Sequence, residues 1–403
     1  MIEIMGIIFS ISYAIFWTSL FLLVYHYLGY PLLLFVLGKF KKGKINYEYS
    51  SDCLPKVTLV ISAYNEANVI ENKLQNSLNL DYPAQKLEIL VVSDSSTDGT
   101  DEIVQKWMEK DPRIRLLRLP RRSGKSIGLN NAVSEARGEI IVFSDANALY
   151  EQNAIKELVK YFADKQVGFV VGSALYYEDK ENLAVQSEGM YWKYETFLKE
   201  LESDFYSVCV GDGAIYAVRR ELYQNLEADD IGDFANPLII AAKGYRGVFN
   251  RNAVCYEEAA GDFAKEFSRK RRIVNRSFRS FRKYVRLFDW SKQYKFIFEL
   301  FSHKILRWFN WFLLLLLFFS NIVLVSNASM FYTMTLIFQL ILGALTLLGA
   351  LLIQKTRNLP FWVSLPFYFF SSHFAAFMGI VDELRGEKYV TWEHVREANS
   401  ASN

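Results

Sequence analysis

Length, composition and charge set the first bounds on this protein. The chain has 403 residues, of which 51% are hydrophobic and 16% aromatic, and its formal net charge is +2. This length accommodates one large soluble domain together with several membrane spans. Its three cysteines, Cys53, Cys209 and Cys255, have no paired spacing, which argues against a disulfide framework or a zinc site and indicates reduced thiols.

The N-terminal segment predicts a membrane anchor. From Met5 to Leu28 almost every residue is apolar, and about 20 such residues span a bilayer. Glu3 precedes the run, whereas a cleaved signal peptide begins with basic residues and ends in small ones. We expect Gly29-Tyr30-Pro31 to break the helix. The lysines between Lys39 and Lys44 then place the next domain in the cytoplasm.

Between Leu54 and about Asn250, short apolar strands alternate with helices. Strands are predicted at 57–62, 87–93, 114–119, 140–144 and 167–172, and helices at 66–78, 98–110, 125–136 and 154–162. This alternation predicts parallel βαβ units, and therefore an α/β sheet with helices on both faces.

Three of these strands end in acids and amides. The runs are Ala63-Tyr64-Asn65-Glu66, Asp94 to Gly99, and Ser144-Asp145-Ala146-Asn147. Parallel strands bring such ends to one sheet edge, where open α/β sheets bind ligands. Tyr64 and Asp94 are candidates for holding a nucleotide base, and Asp145 with Asn147 for holding a Mg2+ or Mn2+ that clamps a diphosphate. Taken alone, Asp94 and Asp98 fit equally well as turn and helix-cap residues.

Two further runs carry charge. Arg121-Arg122-Ser123-Gly124-Lys125 stands at a predicted helix start, where backbone N–H groups and the helix dipole favour a diphosphate. Asp229-Asp230-Ile231-Gly232-Asp233 brings together acids whose mutual repulsion raises a pKa, as a general base near neutrality requires. The alternatives are a solvated basic turn and an exposed acidic loop.

Taken in order, these motifs resemble a family 2 glycosyltransferase with a GT-A fold, in the membrane-bound branch of cellulose, chitin, hyaluronan and poly-N-acetylglucosamine synthases. The resemblance is carried by Ala63–Glu66, Val91–Thr100, Gly124-Lys125 with Leu129–Ala132, Ser144–Asn147, and Asp233 with the later Gly244-Tyr245. It implies a Rossmann-like cytoplasmic domain with a mostly parallel sheet, flanked by transmembrane and amphipathic interface helices. It also implies inverting transfer of a hexose from a nucleotide donor, expected to be a UDP-sugar, to a growing polysaccharide, with membrane translocation left open.

The resemblance gives each candidate residue a role. The nucleotide would be bound by Ala63, Tyr64, Glu66, Asp94 and Lys125; the metal and donor sugar by Asp145 and Asn147; the acceptor by Gly211, Asp212 and Gly213; and the diphosphate by Arg269 and Arg272. Asp233 would be the general base, with Asp230 beside it.

Two departures from the family pattern matter. Asn147 replaces the usual second aspartate, which predicts a softer dependence on Mg2+ or Mn2+. Arg269 and Ile273 replace the Gln and Trp of the Gln-X-X-Arg-Trp motif of processive synthases, and the missing Trp puts processivity in doubt.

The C-terminal third predicts interface helices and further spans. Lys265 to Arg286 carries ten basic residues against one acid, with aromatic residues between them. We expect amphipathic helices on the anionic leaflet rather than a nucleic-acid face. Three apolar runs follow, at 308–325, 330–353 and 359–381. If the last run spans, the acidic tail after it lies outside, although Pro360 and Pro366 leave a re-entrant segment open.

The expected division of the chain is an anchor at 1–38, a catalytic domain at 54–262, interface helices at 263–303, a transmembrane region at 304–382 and a polar tail at 383–403. The expected location is the plasma membrane. Expected partners are the nucleotide sugar, a glycan or lipid-linked acceptor and membrane lipids, with the oligomeric state open. Two alternatives to polymer synthesis remain: transfer of one sugar to a lipid-linked acceptor, and a catalytically silent nucleotide-binding or scaffold subunit.

Overall fold

The computed structural model describes residues 2–40, 53–176, 183–257, 263–327, 329–353 and 359–390. Its strands are β1 (Val57–Ala63), β2 (Leu87–Ser93), β3 (Ile114–Arg118), β4 (Ile140–Asp145), β5 (Leu149–Tyr150), β6 (Val167–Tyr176), β7 (Tyr216–Arg219) and β8 (Arg246–Glu257). Its helices are α1 (Ile2–Val24), α2 (Tyr30–Phe40), α3 (Ile70–Leu78), α4 (Thr100–Lys110), α5 (Lys125–Glu135), α6 (Ala154–Val159), α7 (Leu183–Phe205), α8 (Gly232–Ala242), α9 (Phe263–Tyr284), α10 (Tyr294–Leu300), α11 (Leu306–Trp308), α12 (Asn310–Leu324), α13 (Met330–Leu352) and α14 (Phe361–Leu384).

The eight strands form one sheet in the order β3-β2-β1-β4-β7-β6-β8-β5. The first four run parallel, β7 is antiparallel to both of its neighbours, β6 and β8 are parallel, and β5 is antiparallel to β8. The prediction of a mostly parallel α/β sheet is therefore confirmed. The predicted strands recur almost residue for residue, except that β6 continues four residues further than expected.

Alternation along the central strands separates two apolar cores. Leu59 and Ile61 of β1 belong to the core that contains residues of α3, α4 and α6. Val60 of β1 and Phe143 of β4 belong to the opposite core, which contains residues of α5. Because both faces are covered, all seven residues of β1 are buried. This rigid layer fixes where the polar ends of β1, β2 and β4 lie.

The N-terminal helices form one continuous rod from Glu3 to Lys39. The expectation that Gly29-Tyr30-Pro31 breaks the helix is wrong. A π-helical turn at Tyr25–Gly29 joins α1 to α2, and the N–H of Tyr30 donates to the carbonyl of Tyr25. This wider turn accommodates Pro31, which lacks an N–H, at the start of the next helix.

Three helices of the described residues are long and apolar enough to cross a membrane: the rod at 3–39, α13 and α14. The number rises to four if the bent pair Tyr294–Trp308 and Asn310–Leu324 counts as one span. The apolar runs predicted from the sequence are therefore helical.

The basic helix α9 packs against α14 rather than lying free on a surface. Six of the ten basic residues predicted to face a leaflet form ion pairs with protein carboxylates: Arg269, Lys270, Arg271, Arg279, Arg282 and Lys283. Arg271 is 2.5 Å from Asp382, at the end of α14. The other partners are Glu266 of α9 itself, Asp229 and Asp230 before α9, and Glu383 in α14.

The segment that follows α14 contacts the sheet domain. Lys388 Nζ is 2.9 Å from Asp229 Oδ2, in the acidic run of that domain. The expectation that the tail beyond a spanning α14 lies on the opposite side is therefore wrong for residues up to 390.

Candidate active site

A cavity of ≈ 680 Å³ lies where β1 and β4 end. Ten predicted site residues line it: Glu66, Lys125, Asp145, Asn147, Gly211, Asp212, Gly213, Asp233, Arg269 and Arg272. These residues come from six separate parts of the sequence. The fold thus brings the proposed donor, base and acceptor positions to one cavity.

The charged centre of the cavity surrounds Gly213. A Cβ on this glycine would lie 3.3 Å from Lys125 Nζ, 3.5 Å from Asp233 Oδ2 and 3.7 Å from Asp145 Oδ2. A side chain here would occupy the space that these three groups share. Glycine leaves this shared space open.

The backbone of Gly211 holds the residue that was predicted to be the base. Its N–H donates to the carbonyl of Asp233 at 2.6 Å, and a Cβ on Gly211 would lie 3.0 Å from that oxygen. Asp233 stands in the first turn of α8, where the helix dipole favours a carboxylate. The segment 211–213, which was assigned to the acceptor, thus packs directly against Asp233.

Lys125 and Asp145 form an ion pair. Burial acts to lower the pKa of Lys125, but the Asp145 carboxylate outweighs it, so that the pKa is raised. Burial raises the pKa of Asp233, with Asp212 and Asp145 acting in the same direction and Lys125 and Arg276 opposing them. A raised carboxyl pKa suits a group that accepts a proton near neutrality.

Four predicted site residues do not line the cavity: Ala63, Tyr64, Asp94 and Asp230. Asp94 accepts hydrogen bonds from the N–H groups of Ser123 (2.7 Å) and Gly124 (2.9 Å), and so fastens the basic turn to the end of β2. The ring of Tyr64 is covered by the Arg122 guanidinium at 4.0 Å. In these contacts Asp94 acts as a turn residue.

Asp230 lies away from the chemistry that was predicted for it. It is 0% exposed. Its carboxylate accepts hydrogen bonds from the N–H of Glu227 and from Ser280, Lys283 and Tyr284, at 2.7 to 3.0 Å. Because its donors come mainly from α9, Asp230 anchors the acidic run to that helix, and it does not line the cavity.

Two residues of this region were missed from the sequence. Arg276 of α9 donates to Ser126 Oγ (3.2 Å) and to the carbonyl of Ala228 (3.3 Å), which ties the acidic run to the start of α5. Its position one helical turn after Arg272 was the available signal. Glu257, at the end of β8, lines the cavity, and burial together with Asp145 and Asp212 raises its pKa to about 8. No local pattern marked Glu257.

The cavity continues from the charged centre to the helices of membrane-spanning length. The residues that line this part are Tyr27, Trp192, Tyr194, Glu195, Lys304, Arg307, Trp308, Leu365, Tyr368, Phe369, Ser372, His373 and Ala376. Burial would raise the pKa of Glu195, but Arg307 and Lys304 hold it well below the usual carboxyl range. This end of the cavity thus combines aromatic walls with a fixed cluster of charges.

The side chains present suit a hard divalent cation. Asp145 and Asn147 offer oxygen ligands on one turn, which a hydrogen bond from the N–H of Ala148 to the carbonyl of Asp145 closes at 3.2 Å. Within the part of the chain that the structure describes, no group of three or more His, Cys, Asp or Glu is arranged to hold a metal. Carboxylate and amide oxygens are ligands that suit Mg2+ and Mn2+, whose other ligands can be phosphate and water oxygens.

Comparison with known proteins relates the sheet domain to glycosyltransferases. Residues 58–227 match the family model described as "Glycosyl transferase family 2". The chain is 33% identical over 116 residues to a beta-monoglucosyldiacylglycerol synthase of Synechocystis sp., covering 28% of this chain and 24% of that protein. It is 32% identical over 134 residues to the poly-beta-1,6-N-acetyl-D-glucosamine synthase of Staphylococcus aureus, covering 33% and 31%. The matched segments thus span less than a third of these relatives.

A solved structure extends the similarity beyond the matched domain. The mannosyltransferase PcManGT from Pyrobaculum calidifontis, in complex with GDP-Man and Mn2+, superposes with a TM-score of 0.69 and 26% identity. The superposition covers 93% of this chain and 100% of that one. Residues 58–227 therefore match a glycosyltransferase family 2 domain, and the chain has a GT-A-like fold.

Proposed function

We propose that this protein is a membrane-bound inverting glycosyltransferase that moves one sugar from a nucleotide donor to a lipid-linked acceptor. The observation that carries this proposal is the continuity of the cavity, which reaches from Lys125, Asp145 and Asp233 to helices of membrane-spanning length. An acceptor anchored in the bilayer reaches the base along this route. The cavity volume of ≈ 680 Å³ is in the range of small-molecule sites rather than of a long conduit.

The proposed reaction is a single displacement. The acceptor oxygen attacks the anomeric carbon on the face opposite the diphosphate, and the bond to the diphosphate breaks with its electron pair on the leaving group. Asp233 accepts the hydroxyl proton, for which its raised pKa suits it. Because one displacement inverts the anomeric centre, no covalent intermediate forms.

The donor diphosphate has cationic partners in the cavity. Lys125 stands at the start of α5, where backbone N–H groups also favour anions. Arg272 lines the cavity, and among the described residues its guanidinium has no ion-pair partner. A divalent cation held by Asp145 and Asn147 would neutralise charge on the leaving group. These groups act on the diphosphate, whereas Asp233 acts on the acceptor.

Polymer elongation is the competing function, because one relative is a poly-beta-1,6-N-acetyl-D-glucosamine synthase. Ile273 lines the cavity at the position where processive synthases carry the Trp of their motif. An aliphatic side chain lacks the stacking face that a ring provides for a sugar, and this favours single transfer. The proposal places the catalytic domain on the cytoplasmic side of the plasma membrane, following the lysines after α2.

The test is product analysis with the full chain in lipid nanodiscs. Radiolabelled UDP- and GDP-sugars are supplied with Mn2+ and a membrane lipid extract, with Asp233→Asn as the blank and Asp81→Asn, at an exposed position, as the matched control. We expect one donor to give a lipid-soluble adduct of a single sugar, absent only from the blank. A high-molecular-weight ladder would replace this proposal with polymer synthesis. No transfer with intact nucleotide binding would identify a silent subunit.

A further inference from the structure

A fully buried lysine lies beneath the turn that carries Asp145 and Asn147. Lys73 of α3 is 0% exposed, and its Nζ donates a hydrogen bond to the carbonyl of Ala148, the residue after Asn147. The same ammonium stands 4.0 Å from the centre of the Tyr150 ring. Within the described residues, no carboxylate lies at ion-pair distance from Lys73. Its contacts are thus with this turn and the strand after it.

A second side chain of α3 holds the same segment. Asn76 stands one helical turn after Lys73 and therefore on the same face. Its Nδ2 donates to the carbonyl of Tyr150 at 2.8 Å, and its Oδ1 accepts from the N–H of Tyr150 at 2.8 Å. The peptide from Ala148 to Tyr150 is therefore attached to α3 at both ends.

Tyr150 carries the connection to the acceptor segment. Its hydroxyl donates to the carbonyl of Ala214 at 2.9 Å and lies 3.1 Å from the carbonyl of Phe143. Ala214 follows Gly213, around which Lys125, Asp145 and Asp233 meet. One series of contacts thus connects Lys73 and Tyr150 with the turn that follows Asn147 and with Ala214, next to Gly213.

Stability does not explain a lysine at this position. Its helix neighbours Ile70 and Leu74 are fully buried in the apolar core, and removing an ammonium group from water is unfavourable. Burial lowers the pKa of Lys73 to about 7, although the nearby carboxyl groups of Asp145 and Glu257 act to raise it. An apolar side chain of similar length would fill this space at lower cost, as replacements of buried charges elsewhere do.

We propose that Lys73, together with Asn76, is a positioning residue of the donor site, which fixes the Ala148 carbonyl and thereby the turn that presents Asp145 and Asn147 to the metal and diphosphate. This inference rests on the proposed function, because it assigns to that turn the binding of the metal and the nucleotide sugar. Lys73 would then increase the affinity for the metal and nucleotide and decrease the free energy of unfolding.

The experiment compares the full chain in nanodiscs with Lys73→Met, which keeps the length of the side chain and removes the ammonium. The affinity for Mn2+ in the presence of UDP or GDP is measured by electron paramagnetic resonance, and the melting temperature by thermal unfolding. We expect the Mn2+ affinity to fall by about tenfold or more, as for other groups that orient metal ligands. The melting temperature should stay constant or rise. Lys156→Met is the matched control, because Lys156 of α6 pairs with the exposed Asp81 and does not line the cavity.

An unchanged Mn2+ affinity in Lys73→Met would overturn the inference, and so would an affinity that falls only together with the melting temperature. Asn76→Ala keeps the ammonium and tests the same attachment if Lys73→Met does not fold. Its Mn2+ affinity must fall as well, and an unchanged value would again overturn the inference. Failure of the wild-type protein to bind Mn2+ with either nucleotide would instead refute the proposed function.

Discussion

Asp230 and Asp233 belong to one acidic run, yet the structure predicts opposite consequences when each is replaced by asparagine. Asp230 is fully buried and accepts four hydrogen bonds. Asp233 is only half-buried, lines the cavity and stands beside Lys125 and Asp145. Asp230→Asn should therefore reduce stability, and Asp233→Asn should reduce the rate of transfer.

The loss of stability for Asp230→Asn follows from its buried pair with Lys283. Removing one member of a buried ion pair costs about 3–5 kcal/mol. The lower end applies, because Lys283 is 26% exposed and has Glu227 as a second partner at 2.8 Å. At about 2–4 °C per kcal/mol for a domain of this size, a loss of about 3 kcal/mol lowers the melting temperature by about 6–12 °C. Below that temperature, the transfer rate should remain near that of the wild type.

The replacement Asp233→Asn has the reverse signature. Removal of a general base costs about 10²–10⁴-fold in rate. The melting temperature at neutral pH should not fall, because burial raises the pKa of Asp233 and thus disfavours its charged form in the folded protein. An asparagine amide has about the same size but carries no charge, so it removes the free-energy cost of burying the Asp233 carboxylate.

Both variants are assayed in nanodiscs for initial rate of sugar transfer and for thermal unfolding. The reasoning is refuted if Asp230→Asn loses transfer at an unchanged melting temperature, because Asp230 would then take part in the chemistry. It is equally refuted if Asp233→Asn transfers sugar at the wild-type rate.

Four further outcomes follow from the same structure. The acidic limb of kcat/KM against pH should move to lower pH in Asp212→Asn, because the Asp212 charge raises the pKa of Asp233; an unmoved limb would assign it to another group. Wild-type stability should fall as pH rises from about 5 to 8, because the pKa of Glu257 is raised to about 8 and the folded state holds a proton that the unfolded state has released; melting curves of Glu257→Gln should lack this slope. Arg272→Met should weaken nucleotide binding about tenfold in calorimetry, through loss of one charge-assisted contact, and equal affinity would exclude Arg272 from the diphosphate site. A membrane-impermeant maleimide should label Cys53 in inverted vesicles but not in intact cells, because Cys53 is exposed whereas the other two cysteines are buried; labelling of intact cells would reverse the proposed orientation.

The sequence by itself determined the local elements of the catalytic domain. The buried strands β1, β2 and β4 begin at the predicted residues, because a short apolar run ended by polar residues is a property of neighbouring positions alone. The carboxyl edge of parallel strands is a general binding position, and so Asp145, Asn147 and Lys125 could be assigned to a common site. The resemblance to family 2 glycosyltransferases added Gly211 and Gly213 and singled out Asp233 within the acidic run.

Only the tertiary structure decided which of these polar groups face the cavity. Asp230 and Asp233 are identical in type and close in sequence, and what separates them is α9, which reaches Asp230 from about 50 residues further along the chain. The same holds for Glu257 and Lys73, whose roles depend on where β8 ends and on what α3 covers. It holds also for α14, whose pairing with α9 keeps residues up to 390 on the side of the sheet domain. Periodicity and composition describe a segment and its immediate neighbours. Burial and hydrogen bonding depend on distant partners that only the folded chain brings into contact.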